Sequence, residues 1–247
     1  MRQIKIFLSM GALLICATTF AQQKSASFIA INGGISLPTG NWAKSTEVSS
    51  TDGFVSDPSG YAAAGPIVSL SGAYFFSKHI GVGGFISFAG YKTKVEELSA
   101  GYQESFDVDQ VTTTATSYKL WNFMPGLYFN FQLQHTLSFT ARALAGITSG
   151  STPLITVDVE DGGIDDGTFE QKSASKSAFG FDLGAGLSYS LNKHLAVNLN
   201  ADYFYSKPDF TIQNTMRQNS AGREITEYDQ PLAGVNIGLG LAYLFGK

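Results

Sequence analysis

The sequence predicts an all-β protein: an eight-stranded antiparallel up-and-down transmembrane β-barrel over residues 22–247, preceded by a signal peptide at residues 1–21. Three observations lead to this fold class. Eight segments alternate between large apolar and small residues. The second face of each segment carries small side chains that fit inside a narrow barrel, rather than the hydrophilic side chains of a water-exposed surface. Long connections between segments alternate with short ones.

The composition excludes a disordered, coiled-coil or collagen-like protein. The chain of 247 residues is 44% hydrophobic and only 15% charged, whereas roughly 25% of the residues of an average soluble domain are charged. Its 16 Lys and Arg residues and 20 Asp and Glu residues give a net charge of -4. A nucleic-acid partner therefore has no electrostatic basis.

The first residues predict export. Arg2 and Lys5 precede an apolar run over residues 6–17, and Thr19 and Ala21 then place small residues at the two positions that a signal peptidase reads. We therefore expect cleavage after Ala21. Cys16, the one cysteine, lies inside this segment. The mature chain then offers no disulfide, thiolate nucleophile or cysteine metal ligand.

Each predicted strand has one large apolar face. In the first strand, Ile29, Ile31 and Ile35 share one face. Ala30 and Asn32 lie on the other face. The same period of two recurs in the segments 68–76, 80–88, 121–131, 137–145, 179–189, 195–205 and 235–245. The sequence therefore contains eight such strands.

The polarity of the second face decides whether water or lipid surrounds the barrel. A soluble barrel covers its outer face with Lys, Glu and Thr, whereas Gly, Ser, Ala and Asn dominate the second face here. These small side chains fit inside a narrow barrel, so the large apolar ones belong outside against hydrocarbon. A strand of about 10 residues tilted near 40° rises roughly 25 Å, which matches the apolar band of such barrels.

The connection lengths supply an independent test. The short connections lie around residues 77–79, 132–135 and 192–194, and the long polar ones at about 38–63, 92–117, 148–176 and 206–231. With both chain ends in the periplasm, the short turns lie in the periplasm and the four long loops lie outside the cell. The first and last strands must also pair, because an open strand edge in lipid leaves backbone groups unsatisfied.

Several glycine-rich segments carry a resemblance to a known family. They are NGGISLPTG at residues 32–40, the repeated Gly-Leu-x-Tyr type hairpins that lead to short turns, and the final GLGLAYLF at residues 238–245. On these residues the mature chain resembles the outer-membrane beta-barrel domain proteins of the Bacteroidota, a group that includes PorT-like proteins. It is more distantly similar to OmpA and OmpX type barrels. The resemblance implies the outer membrane of a Gram-negative cell envelope, and no particular activity.

Arg142, Asp182 and Asp202 are the candidate functional residues. Counted from the short turns, they lie at similar heights on three successive strands and point into the lumen. We therefore expect them to meet, since an Arg between two carboxylates satisfies charges that a narrow lumen forces together. Two interpretations of this lumenal charge cluster stay open: structural filling, and a gate like the lumenal ion pair of OmpA-type barrels.

No catalytic residue, metal site or cofactor is predicted. His79, His135 and His194 occupy equivalent places in separate turns, where a barrel holds them apart. No His lies within a predicted strand, which disfavours a Ser/His hydrolase. The acidic residues within 158–170 lack the spacing of an EF-hand, and we interpret them as a solvated loop rather than a Ca²⁺ site.

The leading functional hypothesis is a non-enzymatic structural or interaction barrel that displays four extracellular loops. Its expected surroundings are outer-membrane lipid and lipopolysaccharide, its loop partner is not identified by the sequence, and we expect a monomer. An alternative is a narrow channel for small solutes or ions, lined by Asn122, Asn198 and Asn200 around the charge cluster. A third hypothesis, an envelope assembly or secretion accessory factor, rests on the PorT resemblance alone.

Overall fold

The chain consists mainly of antiparallel strands. The computed structural model describes residues 25–45, 59–106, 108–161, 164–216 and 223–246, so the predicted signal peptide lies outside the described residues. The strands are β1 (Ser27–Pro38), β2 (Gly65–Phe75), β3 (Ile80–Tyr91), β4 (Gln110–Ala115), β5 (Tyr118–Gln132), β6 (Leu137–Ser151), β7 (Ile155–Asp161), β8 (Ile164–Gln171), β9 (Ser175–Ser190), β10 (Leu195–Ser206), β11 (Asp209–Met216), β12 (Arg223–Asp229) and β13 (Leu232–Phe245). A 3₁₀ helix spans Gly40–Trp42, and helix α1 spans Val95–Phe106.

Eight of these strands form a closed barrel in the order β1-β13-β10-β9-β6-β5-β3-β2. The predicted eight-stranded antiparallel barrel is confirmed. β1 and β13 close it by pairing from Ser27 with Phe245 to Pro38 with Gly234. Among the described residues, no helix is long and apolar enough to cross a membrane.

The strand register fixes the tilt of the barrel. Following paired residues once around the wall from Phe28 leads back to β1 at Pro38, ten residues further along. The path runs through Ala73, Gly83, Gly126, Leu144, Asp182, Phe204 and Gly234. A stagger of this size over eight strands tilts them by roughly 40° from the barrel axis. The lumen is therefore narrow enough for side chains to fill.

The two faces of the barrel wall differ as the sequence predicts. On the outer face, Ile31, Leu199 and Leu239 are 69%, 47% and 62% exposed. On the inner face, Asn32 and Asn198 are buried. An exposed apolar wall around a polar interior is the reverse of a soluble protein and is typical of a barrel in lipid.

Exposed aromatic side chains form two girdles on the outer face. One girdle, next to the short turns, contains Tyr74, Phe76, Phe131, Tyr189, Tyr243 and Phe245. The other, at the opposite end of the barrel, contains Phe88, Phe123, Phe179, Phe181 and Tyr203. Between the girdles the large exposed side chains are aliphatic, as at Leu70 and Leu239. Aromatic girdles of this kind mark the two interfaces of a membrane.

The two ends of the barrel have different connections. The turns at residues 76–79, 133–136 and 191–194 share one end, here called the turn end. The chain enters β1 and leaves β13 at this end, because Ser25 N donates to Ser77 O and Leu244 N donates to His194 O. The long connections meet at the opposite end, the loop end, as the alternation of connection lengths predicts.

The long connections, which the sequence predicts as polar loops, contain regular structure. β4, β7, β8, β11 and β12 form a second sheet in the order β12-β11-β8-β7-β4. Each of these strands continues one of five neighbouring barrel strands after a break of two or three residues. Pro153, Pro208 and Pro231 lie in three of the five breaks, where a residue without an N–H interrupts the ladder.

This sheet and helix α1 form what we call the loop-end subdomain. Leu98 and Tyr102 of α1 pack against Val157 and Phe169 of the sheet in a buried cluster. The rings of Tyr102 and Phe169 lie 5.6 Å apart. The apolar alternation of β7 is short and is followed by acidic residues, which is why the sequence suggested a loop.

The assignment of the two faces makes a mutational prediction. Leu199→Arg places a charge near the middle of the aliphatic band and is expected to lower the free energy of unfolding by about 2–4 kcal/mol. Asn198→Ser, one residue away on the inner face, is expected to be nearly neutral. Denaturant titration of both variants in phospholipid vesicles measures the difference. Equal losses would show that the faces are wrongly assigned.

Candidate functional site

The three lumenal charged residues come together in the middle of the barrel. Arg142 on β6 places Nε 3.1 Å from Asp182 Oδ1 on β9 and Nη2 2.8 Å from Asp202 Oδ2 on β10. Both carboxylates are buried, and β6, β9 and β10 are neighbours in the wall. One guanidinium thus bridges two acids across three strands.

Gly184 makes room for this charge cluster. It lies on β9 directly between its register partners Arg142 and Asp202. A Cβ at Gly184 would lie 1.9 Å from Asp202 Oδ1 and 2.8 Å from Arg142 Nε. The charged groups therefore occupy the space that a side chain on β9 would otherwise take.

An aromatic ring contacts the charge cluster, and one of its carboxylate oxygens has no hydrogen-bond partner among the described residues. The Phe85 ring lies 4.6 Å from the Arg142 guanidinium carbon, a cation–π distance. Asp182 Oδ2 has no hydrogen-bond partner among the described residues. Removing one partner of a buried ion pair typically costs about 3–5 kcal/mol, because the other charge is left uncompensated. Loss of Arg142 would leave both buried carboxylates without an opposite charge. The two acids therefore both depend on Arg142.

A polar layer lies between the charge cluster and the loop end. Thr148 Oγ1 donates to Asn122 Oδ1 at 2.7 Å, and Asn122 Nδ2 donates to Ser87 Oγ at 3.0 Å. Ser36 Oγ lies 2.6 Å from Tyr91 Oη. Asn122 was a predicted channel-lining residue, but both ends of its amide bind neighbouring strands.

An aromatic layer closes the loop end of the lumen. The 3₁₀ helix after β1 turns Trp42 inward, where it is fully buried. Its ring centroid lies 4.3 Å from that of Tyr91, 5.7 Å from Tyr118 and 6.2 Å from Phe204. Trp42 carried no signal in the sequence analysis, because it lies outside every predicted strand.

The turn end of the lumen is not filled. A cavity of about 730 Å³ extends from Arg142 and Asp202 to the turns that carry His79 and His135. Asn198 and Asn200, the other two predicted channel residues, line this cavity. The lumen thus has a packed half at the loop end and an open half at the turn end.

The histidines lie in separate turns. His79 Nδ1 is 3.0 Å from Asn130 O, and His194 Nδ1 is 3.4 Å from Leu244 O. Within the part of the chain that the structure describes, no group of three metal-ligating side chains occurs. Asp158 of the acidic stretch accepts a hydrogen bond of 2.8 Å from Thr168 Oγ1 across the β7–β8 pair.

A closed eight-stranded barrel with an apolar outer face and two aromatic girdles defines the class of outer-membrane β-barrel proteins. The sequence profile of the family described as outer membrane protein beta-barrel domain matches residues 7–245, and the chain belongs to this family. The protein is therefore located in the outer membrane.

Solved structures of other outer-membrane proteins are similar in fold. A major outer membrane protein from Thermus thermophilus is 11% identical, with 90% of this chain and 100% of that chain covered and a TM-score of 0.49. Neisserial surface protein A is 11% identical, with 91% and 100% covered and a TM-score of 0.46. Ail, the attachment invasion locus protein of Yersinia pestis, is 16% identical, with 90% and 100% covered and a TM-score of 0.42. A comparison with curated proteins finds no match.

The space at Gly184 can be tested by adding one methyl group. Gly184→Ala is expected to force Arg142 and Asp202 apart and to lower the free energy of unfolding by about 3–5 kcal/mol. Gly33→Ala is the matched control, because a Cβ at Gly33 meets nothing within 4 Å; its expected change is less than about 1 kcal/mol. Denaturant titration in vesicles compares the two. A Gly184→Ala variant as stable as Gly33→Ala would contradict the described packing.

Proposed function

We propose that this protein is a non-enzymatic interaction barrel, in which a closed outer-membrane barrel presents the loop-end subdomain outside the cell. The observation that carries the proposal is the subdomain's own buried core, in which helix α1 packs on the second sheet. Flexible connections would not need such a core. The barrel wall has no unpaired edge, so its closure needs no second copy and a monomer is expected.

The first long connection is tied to this subdomain. Lys94 Nζ donates to Ala43 O at 3.0 Å and lies 3.3 Å from Glu97 Oε2. Hydrogen bonds from Ser45 and Lys94 keep the pKa of Glu97 below its ordinary value. Contacts of this kind fix the position of α1 relative to the barrel rim, which makes the presented surface a defined shape.

The charge of the long connections indicates the chemistry of a partner. These connections, at residues 38–63, 92–117, 148–176 and 206–231, hold 18 of the 20 acidic residues of the chain and 8 of its 16 basic ones. The two remaining acids are Asp182 and Asp202 in the lumen. Connections with this excess of carboxylates attract a basic partner and repel the phosphates of neighbouring lipopolysaccharide.

The packed half of the lumen argues against the channel alternative. The aromatic layer around Trp42 and the hydrogen-bonded layer around Asn122 both cross the lumen between the charge cluster and the loop end. An ion passing Arg142 would still meet these two layers. No contact of the described residues favours the assembly or secretion hypothesis over the interaction role.

Planar bilayer recordings separate a closed barrel from a gated channel. We expect no steady single-channel current from the wild type or from Arg142→Ala, because Trp42 and its neighbours still close the loop end in the variant. Arg142→Lys, which keeps the positive charge, serves as the control. A steady current that appears with Arg142→Ala and not with Arg142→Lys would identify the charge cluster as a gate and overturn the closed-barrel proposal.

Complementation of a deletion strain tests the role of the loop-end subdomain. In the test variant, a short Gly-Ser turn replaces residues 156–170, which removes most of the β7–β8 hairpin and leaves the barrel strands unchanged. We expect this variant to fold, as shown by heat-modifiable gel migration, and to fail to restore the wild-type envelope phenotype. Arg142→Lys is expected to restore it. Full complementation by the hairpin-less barrel would show that the function does not reside in the subdomain.

A further inference from the structure

The turn-end cavity lies at the opposite end of the barrel from the loop-end subdomain, and its two walls differ in chemistry. Phe28 on β1, Phe75 on β2 and Tyr128 on β5 form one wall. The Phe28 ring centroid is 6.4 Å from that of Phe75 and 5.8 Å from that of Tyr128. Phe28 is the partly exposed ring of this wall, and Phe75 and Tyr128 are buried behind it.

The facing wall carries hydroxyl and amide groups. Strands β6, β9 and β10 contribute Ser138, Thr140, Ser188, Ser190, Asn198 and Asn200. Gly186 lies between Thr140 and Asn200 in the register. A Cβ at Gly186 would lie 2.4 Å from Asn200 Oδ1, so the glycine keeps the amide in place along the wall.

One group on the polar wall lacks a hydrogen-bond donor. Asn198 is 8% exposed and lines the cavity, and its Oδ1 has no partner among the described residues. A buried amide oxygen without a donor is costly, and a bound group with an O–H or N–H would satisfy it. Of the described residues that line the cavity, Asp202 is the one carboxylate, and Arg142 already binds it.

The volume and the two walls select the class of ligand. A cavity of about 730 Å³ falls within the range of small-molecule sites, which is roughly 300–1,000 Å³. A fully deprotonated anion such as sulfate brings only acceptors and leaves Asn198 Oδ1 unsatisfied. A fatty acyl chain leaves the whole polar wall unsatisfied. A neutral sugar offers hydroxyl donors and acceptors along its edge and a C–H face for the aromatic rings.

We propose that the turn-end cavity binds a neutral saccharide of one or two rings that enters from the periplasm. One face of the sugar packs on Phe28, which Phe75 and Tyr128 support from behind, and a sugar hydroxyl donates to Asn198 Oδ1. The remaining hydroxyls bind the serine, threonine and asparagine side chains of the facing wall. The charge cluster forms the floor of the site and limits how deep a ligand enters.

Saturation-transfer difference NMR on the full mature chain in phosphatidylcholine nanodiscs tests this site. The probes are maltose and N,N′-diacetylchitobiose, with glycerol 3-phosphate as the anionic comparison. We expect saturable binding of at least one disaccharide to the wild type. Asn198→Leu keeps the side-chain volume without the acceptor and is expected to raise the Kd by about tenfold or more. Ser188→Trp fills the cavity and is expected to abolish binding.

The control variant is Leu199→Val, which alters the lipid face of the same strand and is expected to leave the Kd unchanged. Heat-modifiable gel migration establishes that each variant is folded, and the two cavity variants lie on different strands, so either one alone decides the result. Lack of saturable binding of both disaccharides to the wild type would overturn the proposal. Undiminished binding to a folded cavity variant, or binding of glycerol 3-phosphate alone, would overturn it as well.

Discussion

Backbone hydrogen bonding in a solvent without hydrogen-bond partners is the constraint on which the rest of this structure depends. In hydrocarbon every N–H and C=O of a strand must find another strand, so β1 has to meet β13 along its whole length. Eight strands and a stagger of ten residues then fix a narrow lumen. A lumen of this width is narrow enough for side chains to fill it. The outer face has to be apolar, and the charged groups that remain inside have to lie beside opposite charges.

The narrow lumen divides the molecule into layers with different tasks. Trp42 and its aromatic neighbours close the loop end of the lumen. Asn122 and Thr148 link adjacent strands in the next layer. Arg142 joins β6, β9 and β10 in the middle of the barrel. Below Arg142 the inward side chains of β6 and β9 become small and the lumen opens. The two proposed binding regions lie at the two ends of the barrel, while the charge cluster in the middle joins three strands of the wall.

The sequence predicted those features that follow from a local period. Alternation of two placed Leu199 on the lipid face, and counting from the short turns brought Arg142, Asp182 and Asp202 to one height, where the structure has them in contact. Features that depend on distant parts of the chain had no local signal. Trp42 closes the lumen because a turn after β1 redirects it, and Gly184 is needed because two other strands place charges beside it. The short apolar alternation of β7 was hidden among acidic residues, so its sheet was missed.

The order of the second sheet implies a sequence of assembly. β4 pairs with β7, and β8 pairs with β11, so strands from three separate connections have to meet. The ends of β4, β7, β8 and β11 that join the barrel are in position only when β5, β6, β9 and β10 are already neighbours in the wall. We therefore expect the sheet to form after the barrel and to open before it. A folded second sheet would therefore report that the transmembrane part beneath it is complete.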